Sequence, residues 1–177
     1  MSVNHVDNAT VIGPERQIVA MNLGDQVFGI DIAFINTVIT PQPITRVPRT
    51  PGFVKGVMNL RGRIMPVLDI RERFGIDPES WSAPADTRVV IVEVEGLSVG
   101  LVVDNVSEVL RLPESAIEAP STVLDSQEVD CITGIGRIKL HGRKEADEDC
   151  FILLLDIQKV LGAGNTEIDL SKLAKAA

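Results

Sequence analysis

Residues 27–32 read VFGIDI, and residues 98–103 read SVGLVV. Both segments place apolar side chains around one central glycine, and they superimpose at an offset of 71 positions. The apolar spacing that follows is shared at the same offset, with Ile35, Val38 and Ile39 corresponding to Val106, Val109 and Leu110. A duplicated pattern of this kind indicates an internal repeat.

A second correspondence extends the repeat. VKGV at 54–57 resembles ITGI at 132–135, and LDI at 68–70 recurs at 155–157. Because the order of the segments is the same in both parts of the chain, we predict two similar subdomains. The alternative is chance agreement among strands rich in Val, Ile, Leu and Gly, since apolar patterns alone discriminate weakly.

The residue types favour strands over helices. Val and Ile far outnumber Leu and occur in short runs that Gly and Pro interrupt, which is typical of strands and hairpins. The predicted strands are 17–23, 27–32, 54–60, 64–70, 87–94, 97–103, 131–138 and 150–156. Turn residues such as Arg61-Gly62 and Glu95-Gly96 separate neighbouring strands. We therefore predict an all-β fold in which each subdomain closes about five strands into a small barrel.

Helices are expected to be few and short. Residues 71–74 and 157–161 are each followed by glycine, a common helix stop, and the tail at 169–177 is weakly helical. The expected organisation is a disordered leader at 1–16, a folded region at 17–161 with approximate halves 17–80 and 85–161, and a tail at 162–177. The Pro-rich segments 41–51 and 78–84 are predicted loops, and the second is the expected boundary between the halves.

The composition disfavours several classes of protein. There are 25 acidic and 17 basic residues, so the formal charge is −8, which opposes binding to phosphate backbones. The longest strictly apolar stretch, Phe151 to Leu155, is far shorter than the roughly 20 residues of a membrane-spanning helix. The N-terminal segment lacks a basic start followed by an apolar run, so no export signal is expected. Cys131 and Cys150 have no CxxC or His companion, which favours reduced thiols in a cytoplasmic protein.

Little in the sequence points to catalysis. His5 and His141 lie in polar segments, where no Ser, Cys or carboxylate is held beside them for acid–base work. No HExxH, CxxC or Asp-rich calcium loop occurs, so we expect no metal and no cofactor. Gly134-Ile135-Gly136 lacks the third glycine of a dinucleotide-binding motif and is interpreted as a bulge or tight bend. Asp69 and Asp156 precede the two short helices, where a carboxylate suits the helix N-terminus. Binding to another protein is then the favoured activity.

Residues 17–161 resemble the CheW-like family of bacterial chemotaxis coupling proteins. The motifs that carry the resemblance are LGDQVFGIDI (23–32), ITRVPRTPGFVKGVMNLRGRIMPVLDIRERFG (44–75), VGLVVDNVSEVL (99–110), and TGIGRI (133–138) followed by ILLLDIQKVL (152–161). The resemblance implies two SH3-like five-stranded barrels around an intervening core, which agrees with the predicted repeat. No receiver domain, kinase domain or methyl-accepting region accompanies these motifs, so a stand-alone adaptor is expected.

The resemblance also implies a function. Family members are noncatalytic adaptors that bind the regulatory domain of the histidine kinase CheA and the cytoplasmic tip of chemoreceptors. They are recruited to receptor arrays at the inner face of the membrane. The family's NLRG motif matches residues 59–62, which implies that Arg61 contacts the receptor. An arginine on a tight turn offers a rigid donor fork to carbonyls or Glu side chains of a receptor helix.

Further contact residues follow from the same resemblance. Four residues match a stretch that the family presents toward the receptor: Ile35, Thr37, Val38 and Ile39. Gly56 matches a glycine implicated in kinase docking. The residues themselves leave two alternatives open, namely core packing for Ile35 and Val38 and a barrel bend for Gly56.

The sequence departs from the family pattern in two places. Thr37 stands where members frequently have an acidic residue, with Asn36 beside it, which puts receptor preference in doubt. The polar segment 141–149 is unusually long and is expected to be an exposed excursion of a hairpin. We assign this segment no role.

Two other classes of protein remain as alternatives. The first is a small hydrolase or transferase that uses carboxylates such as Asp69 or Asp104 in a cleft between the subdomains. The second is a nucleic-acid-binding barrel, which the net charge opposes.

Overall fold

The computed structural model describes residues 14–77, 79, 84–120, 131–138 and 150–162, and in these ranges the chain forms eleven strands and two short α-helices. The strands are β1 (Glu15–Leu23), β2 (Gln26–Asp31), β3 (Ile35–Ile39), β4 (Val54–Leu60), β5 (Arg63–Asp69), β6 (Arg88–Val94), β7 (Leu97–Val103), β8 (Asn105–Pro113), β9 (Ile117–Glu118), β10 (Ile132–Ile138) and β11 (Cys150–Leu155). The helices are α1 (Ile70–Arg73) and α2 (Ile157–Gly162). Each predicted strand and both predicted short helices are present, with ends that differ by at most two residues. Within the described part of the chain, every helix is too short or too polar to cross a membrane.

The strands form two sheets, and the predicted all-β fold with two SH3-like subdomains is confirmed. Subdomain A contains the six-stranded sheet β8-β1-β2-β11-β10-β9, and subdomain B contains the five-stranded sheet β3-β6-β7-β5-β4. The sixth strand of subdomain A is the two-residue β9. Subdomain B has the predicted five strands.

The structure contains two longer strands, β3 and β8, that the sequence pattern did not predict. In β3 the register shifts between Ile35 and Thr37, which makes Asn36 an extra residue opposite β6. In β8 the extra residue opposite β1 is Ser107, at the equivalent position of the repeat. Each bulge brings residues three positions apart onto one face of the strand. That spacing is typical of a helix, so it conceals the alternation that identifies a strand.

The two sheets divide the chain differently from the predicted halves 17–80 and 85–161. Subdomain B is continuous from β3 to β7, so the connection at 78–84 joins strands of the same sheet. Subdomain A is completed by β1 and β2, because β2 pairs in parallel with β11. The chain therefore passes between the sheets at a β2–β3 crossing and at a β7–β8 crossing.

The strand pairing confirms the repeat. β2 runs parallel to β11 in subdomain A, and β7 runs parallel to β5 in subdomain B. VFGIDI and SVGLVV thus occupy equivalent positions. A Cβ on Gly29 would lie 2.4 Å from Ile18 Cγ2, and a Cβ on Gly100 would lie 2.9 Å from Val89 Cγ1. Both glycines are therefore needed because neighbouring side chains fill the space that a larger residue would occupy.

Apolar side chains pack in three clusters. Each subdomain has its own interior, built around Ile18, Leu110 and Ile152 in subdomain A and around Met65, Val67 and Val89 in subdomain B. A larger central core lies between the subdomains and takes Met21, Phe28 and Ile30 from one sheet and Val90, Leu101 and Val103 from the other. Strands β1, β2, β6 and β7 are therefore covered by apolar side chains on both faces, which explains the near-continuous apolar runs in the sequence.

Candidate functional site

Arg61 lies at the tip of the turn between β4 and β5. Arg61 and Gly62 both have positive φ, 53° and 83°, as the two central residues of a type I′ hairpin turn require. The Gly62 N–H donates a hydrogen bond to Asn59 Oδ1 at 2.9 Å. The Arg61 side chain is exposed. The turn is thus locally braced, while its arginine faces solvent.

The four predicted receptor-contact residues of β3 differ in exposure. Ile35 is half-buried and packs against the central core, and Ile39 packs against the interior of subdomain B. Thr37 and Val38 are exposed, with Val38 retaining 38% of its accessible surface. β3 is an edge strand of its sheet. Core packing therefore accounts for much of Ile35 and Ile39, whereas Thr37 and Val38 are accessible to a partner.

The strand directions bring Arg61 and the start of β3 to the same end of subdomain B. β3 and β7 are both antiparallel to β6, and β7 is parallel to β5. The beginnings of β3, β5 and β7 therefore coincide at one end of the sheet. This end, which we call the turn end, carries the turn with Arg61, the β6–β7 turn and Ile35. Ile39 lies at the opposite end of β3.

An open cavity of about 310 Å³ lies at the turn end, between the start of β3 and the β6–β7 turn. Its lining residues are Ala33, Phe34, Ile35, Asn36, Glu93, Glu95 and Gly96. Glu93 and Glu95 are exposed, so one wall carries two carboxylates. Neither glutamate was predicted from the sequence as a site residue. Their alternation with Val94 predicts outward-facing side chains, but it does not reveal that they border the β2–β3 crossing.

Gly56 is buried in β4, next to the passing segment around Thr45. Thr45 and Val57 exchange two backbone hydrogen bonds, at 2.8 and 2.9 Å. Gly56 has φ of 137°, and a Cβ there would lie 2.0 Å from the Thr45 carbonyl oxygen. The geometry requires glycine at this bend of the strand, which supports the structural alternative noted for Gly56. By strand register, Gly56 and Thr37 lie on one row at opposite edges of the sheet.

Asp69 and Asp104, the carboxylates named for the hydrolase or transferase alternative, bind a buried arginine. The Arg71 guanidinium donates to both oxygens of Asp69, at 3.0 and 2.8 Å, and to Asp104 Oδ1 at 2.9 Å. The second oxygen of Asp104 accepts a hydrogen bond from the Gly24 N–H at 2.8 Å. Asp69 also caps α1 through the Arg71 N–H. We call Asp69, Arg71 and Asp104 the ionic cluster.

The ionic cluster is a structural arrangement. Its members expose only 2%, 8% and 0% of their surface. Burial lowers the pKa of Arg71, but the hydrogen bonds and charges of Asp69 and Asp104 outweigh burial and raise it overall, so the guanidinium stays protonated. A general acid or nucleophile must reach its substrate, and carboxylates already engaged with a buried arginine are poorly suited to that task. The predicted capping role is confirmed for Asp69, and for Asp156, which accepts the Lys159 N–H at 3.1 Å.

Several features named in the sequence analysis lie outside the described residues. They are the 1–13 part of the leader, His5, segment 141–149 with His141, and the tail beyond residue 162. In the described ranges, no three or more His, Cys, Asp or Glu side chains are grouped so that they could hold a metal ion. Cys131 is buried, and Cys150 is half-buried.

The chain is similar to known proteins over most of its length. The family model of the CheW-like domain matches residues 17–164. The chain is 31% identical to the chemotaxis protein CheW of Klebsiella aerogenes, over 84% of this chain and 82% of that protein. It is 30% identical to protein FrzA of Myxococcus xanthus, over 84% and 86% of the two chains. The crystal structure of the scaffolding protein TtCheW from Thermoanaerobacter tengcongensis superimposes with a TM-score of 0.73 at 33% identity, covering 89% of this chain and 99% of that one.

Proposed function

The chain belongs to the CheW-like family, and from this membership we propose that it is a noncatalytic adaptor that couples chemoreceptors to a CheA-type histidine kinase. Its activity is to hold two partners together, without making or breaking a covalent bond. It works in the cytoplasm, recruited to receptor arrays at the inner face of the membrane.

One observation carries the proposal. The likeness to a scaffolding protein extends over 99% of that protein's chain with a TM-score of 0.73. The shared part therefore spans nearly the whole length of that protein. Similarity of a single motif or of one barrel would support only a fold, because one fold hosts many functions.

The receptor contact is assigned to the turn end of subdomain B and the adjoining exposed edge of β3. The cytoplasmic tip of a chemoreceptor is a helical hairpin, and an amphipathic helix binds a partner by laying its apolar side chains into an aliphatic groove. Val38 and Thr37 offer an exposed surface for such a helix, and Ile35 borders the neighbouring cavity. Arg61 would donate to carbonyls or carboxylates of the same helix.

Charges of both signs at the turn end support a defined orientation of the helix. Arg61 and Arg63 are exposed near the β4–β5 turn, and Glu93 and Glu95 are exposed near the β6–β7 turn. Complementary charges contribute more to specificity and register than to raw affinity. Thr37 is uncharged, so these glutamates supply the negative charge on the β3 side of the surface. We propose that they determine which receptors this adaptor accepts.

The kinase contact is assigned to an apolar end surface of subdomain B, which pairs with the regulatory domain of the kinase. Gly56 contributes indirectly, because only glycine allows β4 to pass the Thr45 carbonyl at the observed distance. The kinase-binding role of Gly56 is thus proposed as a requirement on backbone shape.

Signalling follows from linkage between the two contacts. If two receptor states differ in affinity for the adaptor–kinase complex, each state shifts the population of kinase conformations. The size of the shift is limited by that difference in affinity, and the coupling is reciprocal. A passive adaptor can therefore transmit a signal.

The substitution Arg61→Ala tests the receptor contact. A hydrogen bond to a charged group contributes about 1.5–3 kcal/mol, so we expect affinity for a receptor hairpin fragment to fall about tenfold or more. Binding of the isolated kinase regulatory domain should stay unchanged. Isothermal titration calorimetry with each fragment measures both affinities, and the thermal midpoint should hardly move because the side chain is exposed.

Arg49→Ala is the matched control for backbone effects. Arg49 precedes β4, outside the turn end, with φ of 62°, close to that of Arg61, and its side chain is also exposed. A change in the thermal midpoint caused by placing alanine in a left-handed turn position should appear in both variants, whereas loss of the proposed receptor contact affects only Arg61→Ala. A wild-type chain that binds neither fragment at micromolar concentration contradicts the proposed function.

A further inference from the structure

The ionic cluster bridges the two subdomains at the β7–β8 crossing. Arg71 belongs to α1, which follows β5 of subdomain B, and its guanidinium reaches Asp104, the residue between β7 and β8. Asp104 in turn accepts the N–H of Gly24, in the β1–β2 turn of subdomain A. The backbone N–H of Asp104 donates to the Asn22 carbonyl at 3.0 Å. A continuous chain of hydrogen bonds therefore runs from one subdomain to the other.

These contacts are directional, whereas the central core is not. Hydrophobic burial is non-directional, and its free energy is roughly proportional to the apolar area removed from water. Charge-assisted bonds, above all a bidentate arginine–carboxylate pair, are short and geometrically demanding. The stacked rings of Phe28 in β2 and Phe74 after α1, with centroids 5.3 Å apart, add a second contact between α1 and subdomain A. The cluster is thus placed to fix the angle between the sheets.

Among the residues that the structure describes, the β2–β3 crossing has no equivalent cluster of buried ions. By the repeat, Ala33 stands in place of Asp104, and Gln158 of α2 stands in place of Arg71. Gln158 is exposed. The fold therefore forms one of its two crossings without buried ions, so the cluster is not a general requirement of the architecture.

The crossing without ions borders the cavity at the turn end. Ala33 and Phe34 line the cavity, and their short 3-10 turn contacts β1 of subdomain A on one side and β6 of subdomain B on the other. Phe34 also packs against the central core. Rotation of one subdomain against the other would therefore change the shape of the cavity.

From these observations we infer that Arg71 is a positioning residue for the receptor contact: together with Asp69 and Asp104 it locks the β7–β8 crossing and thereby fixes the cavity at the β2–β3 crossing. The role in receptor binding rests on the proposed function. The kinase contact is assigned to residues outside the β2–β3 crossing, whereas the receptor contact adjoins the cavity that Ala33 and Phe34 of this crossing line. Loss of the cluster should thus affect one partner and spare the other.

The test uses the triple variant D69N/R71M/D104N, which removes the three charges of the ionic cluster together, so that none of them is left without the other two. The D69N change keeps a side-chain oxygen that can cap α1, and the D104N change keeps one that can accept the Gly24 N–H. Residual dipolar couplings of backbone amides report the orientation of each sheet. We expect one alignment tensor to fit both subdomains in the wild-type chain, and two tensors of different magnitude in the variant. A single wild-type tensor in the variant overturns the inference.

Two further variants separate this role from general damage. The double variant D156N/Q158M alters the equivalent residues at the other crossing and should keep a single tensor. Arg71→Lys keeps the charge but loses the planar donor fork, and it should give tensors between those of the wild type and the triple variant. If the triple variant fails to fold, the tensors of Arg71→Lys decide: a single wild-type tensor there overturns the inference.

Partner affinities supply the second readout. In the triple variant we expect affinity for the receptor hairpin fragment to fall at least fivefold, while affinity for the kinase regulatory domain stays within twofold. Equal losses for both partners, or no loss for the receptor, overturn the positioning role. The dipolar couplings require no partner, so they remain decisive even if the wild-type chain binds neither fragment, an outcome that contradicts the proposed function.

Discussion

Subdomains A and B share the same backbone features, but they differ in what lies at the two crossings between them. Both have a glycine inside the sheet at equivalent positions, Gly29 and Gly100, and a bulge in the strand that enters from the other sheet. Within the described residues, only the β7–β8 crossing has buried ions, and only the β2–β3 crossing borders the open cavity. Features that occur twice are those that the fold requires, and features that occur once are candidates for function.

The largest expected effect on stability comes from removing only the cation of the ionic cluster. Arg71→Met removes the cation and leaves Asp69 and Asp104 as buried carboxylates without it. We expect the free energy of unfolding to fall by about 3–5 kcal/mol, the usual cost of an uncompensated buried charge. Urea denaturation followed by circular dichroism measures the change.

The equivalent substitution in the other half of the internal repeat is Gln158→Met, which affects an exposed side chain. It should change stability by less than about 0.5 kcal/mol. Similar losses in the two variants would mean that the crossings are equivalent in energy, in contrast to their different structures.

A smaller effect is expected from adding one methyl group to each subdomain interior. In Gly29→Ala the new Cβ would lie 2.4 Å from Ile18 Cγ2, whereas in Gly100→Ala the closest atoms are Val89 Cγ1 at 2.9 Å and the flexible end of Met58 at 3.2 Å. Overpacking costs about 1–3 kcal/mol, and because Ile18 and Val89 are both stiff β-branched residues, the shorter distance at Gly29 decides the order. We therefore expect the greater loss in Gly29→Ala, measured by the shift in the urea midpoint. A greater loss in Gly100→Ala would contradict this order.

The smallest effect distinguishes the two helix caps. Asp156 accepts the Lys159 N–H at the start of α2, so Asp156→Ala should cost about 1 kcal/mol, and Asp156→Asn should restore most of it. Asp69 caps α1 and also binds Arg71, so Asp69→Ala should cost distinctly more. Thermal unfolding of the three variants measures the difference. Equal losses for both alanine variants would show that the ion pair with Asp69 adds nothing beyond the cap.

Much of the fold could be predicted because alternating and continuous apolar runs report burial directly. The two longer missed strands contain the bulges at Asn36 and Ser107, which shift the apolar spacing. The exchange of strands between sheets depends on the parallel pairing of Gly29 with Leu154, and no local pattern encodes a contact between residues so far apart. For the same reason the predicted halves do not match the sheets.

The candidate site was predictable only in part. The position of Arg61 in a hairpin turn was predictable from the Arg61-Gly62 pair between two apolar strands, whereas its receptor role is implied only by the resemblance of NLRG to the family motif. The Arg71–Asp104 contact joins residues 33 positions apart. One signal could have found it: Asp69 and Asp104 each end an apolar strand, and those strands, β5 and β7, are parallel neighbours. Two carboxylates at adjacent strand ends require a cation close by.

The exchange of strands between the two sheets also sets the order in which the sheets can be completed during translation. Subdomain B is complete once β7 has been synthesised, whereas the β1–β2 hairpin must wait for β11, its partner near the end of the chain. Until then the hairpin keeps an unpaired edge and an uncovered apolar face, the kind of surface through which nascent chains associate wrongly. The β1–β2 hairpin is thus translated before subdomain B but paired with its last neighbour after subdomain B is complete.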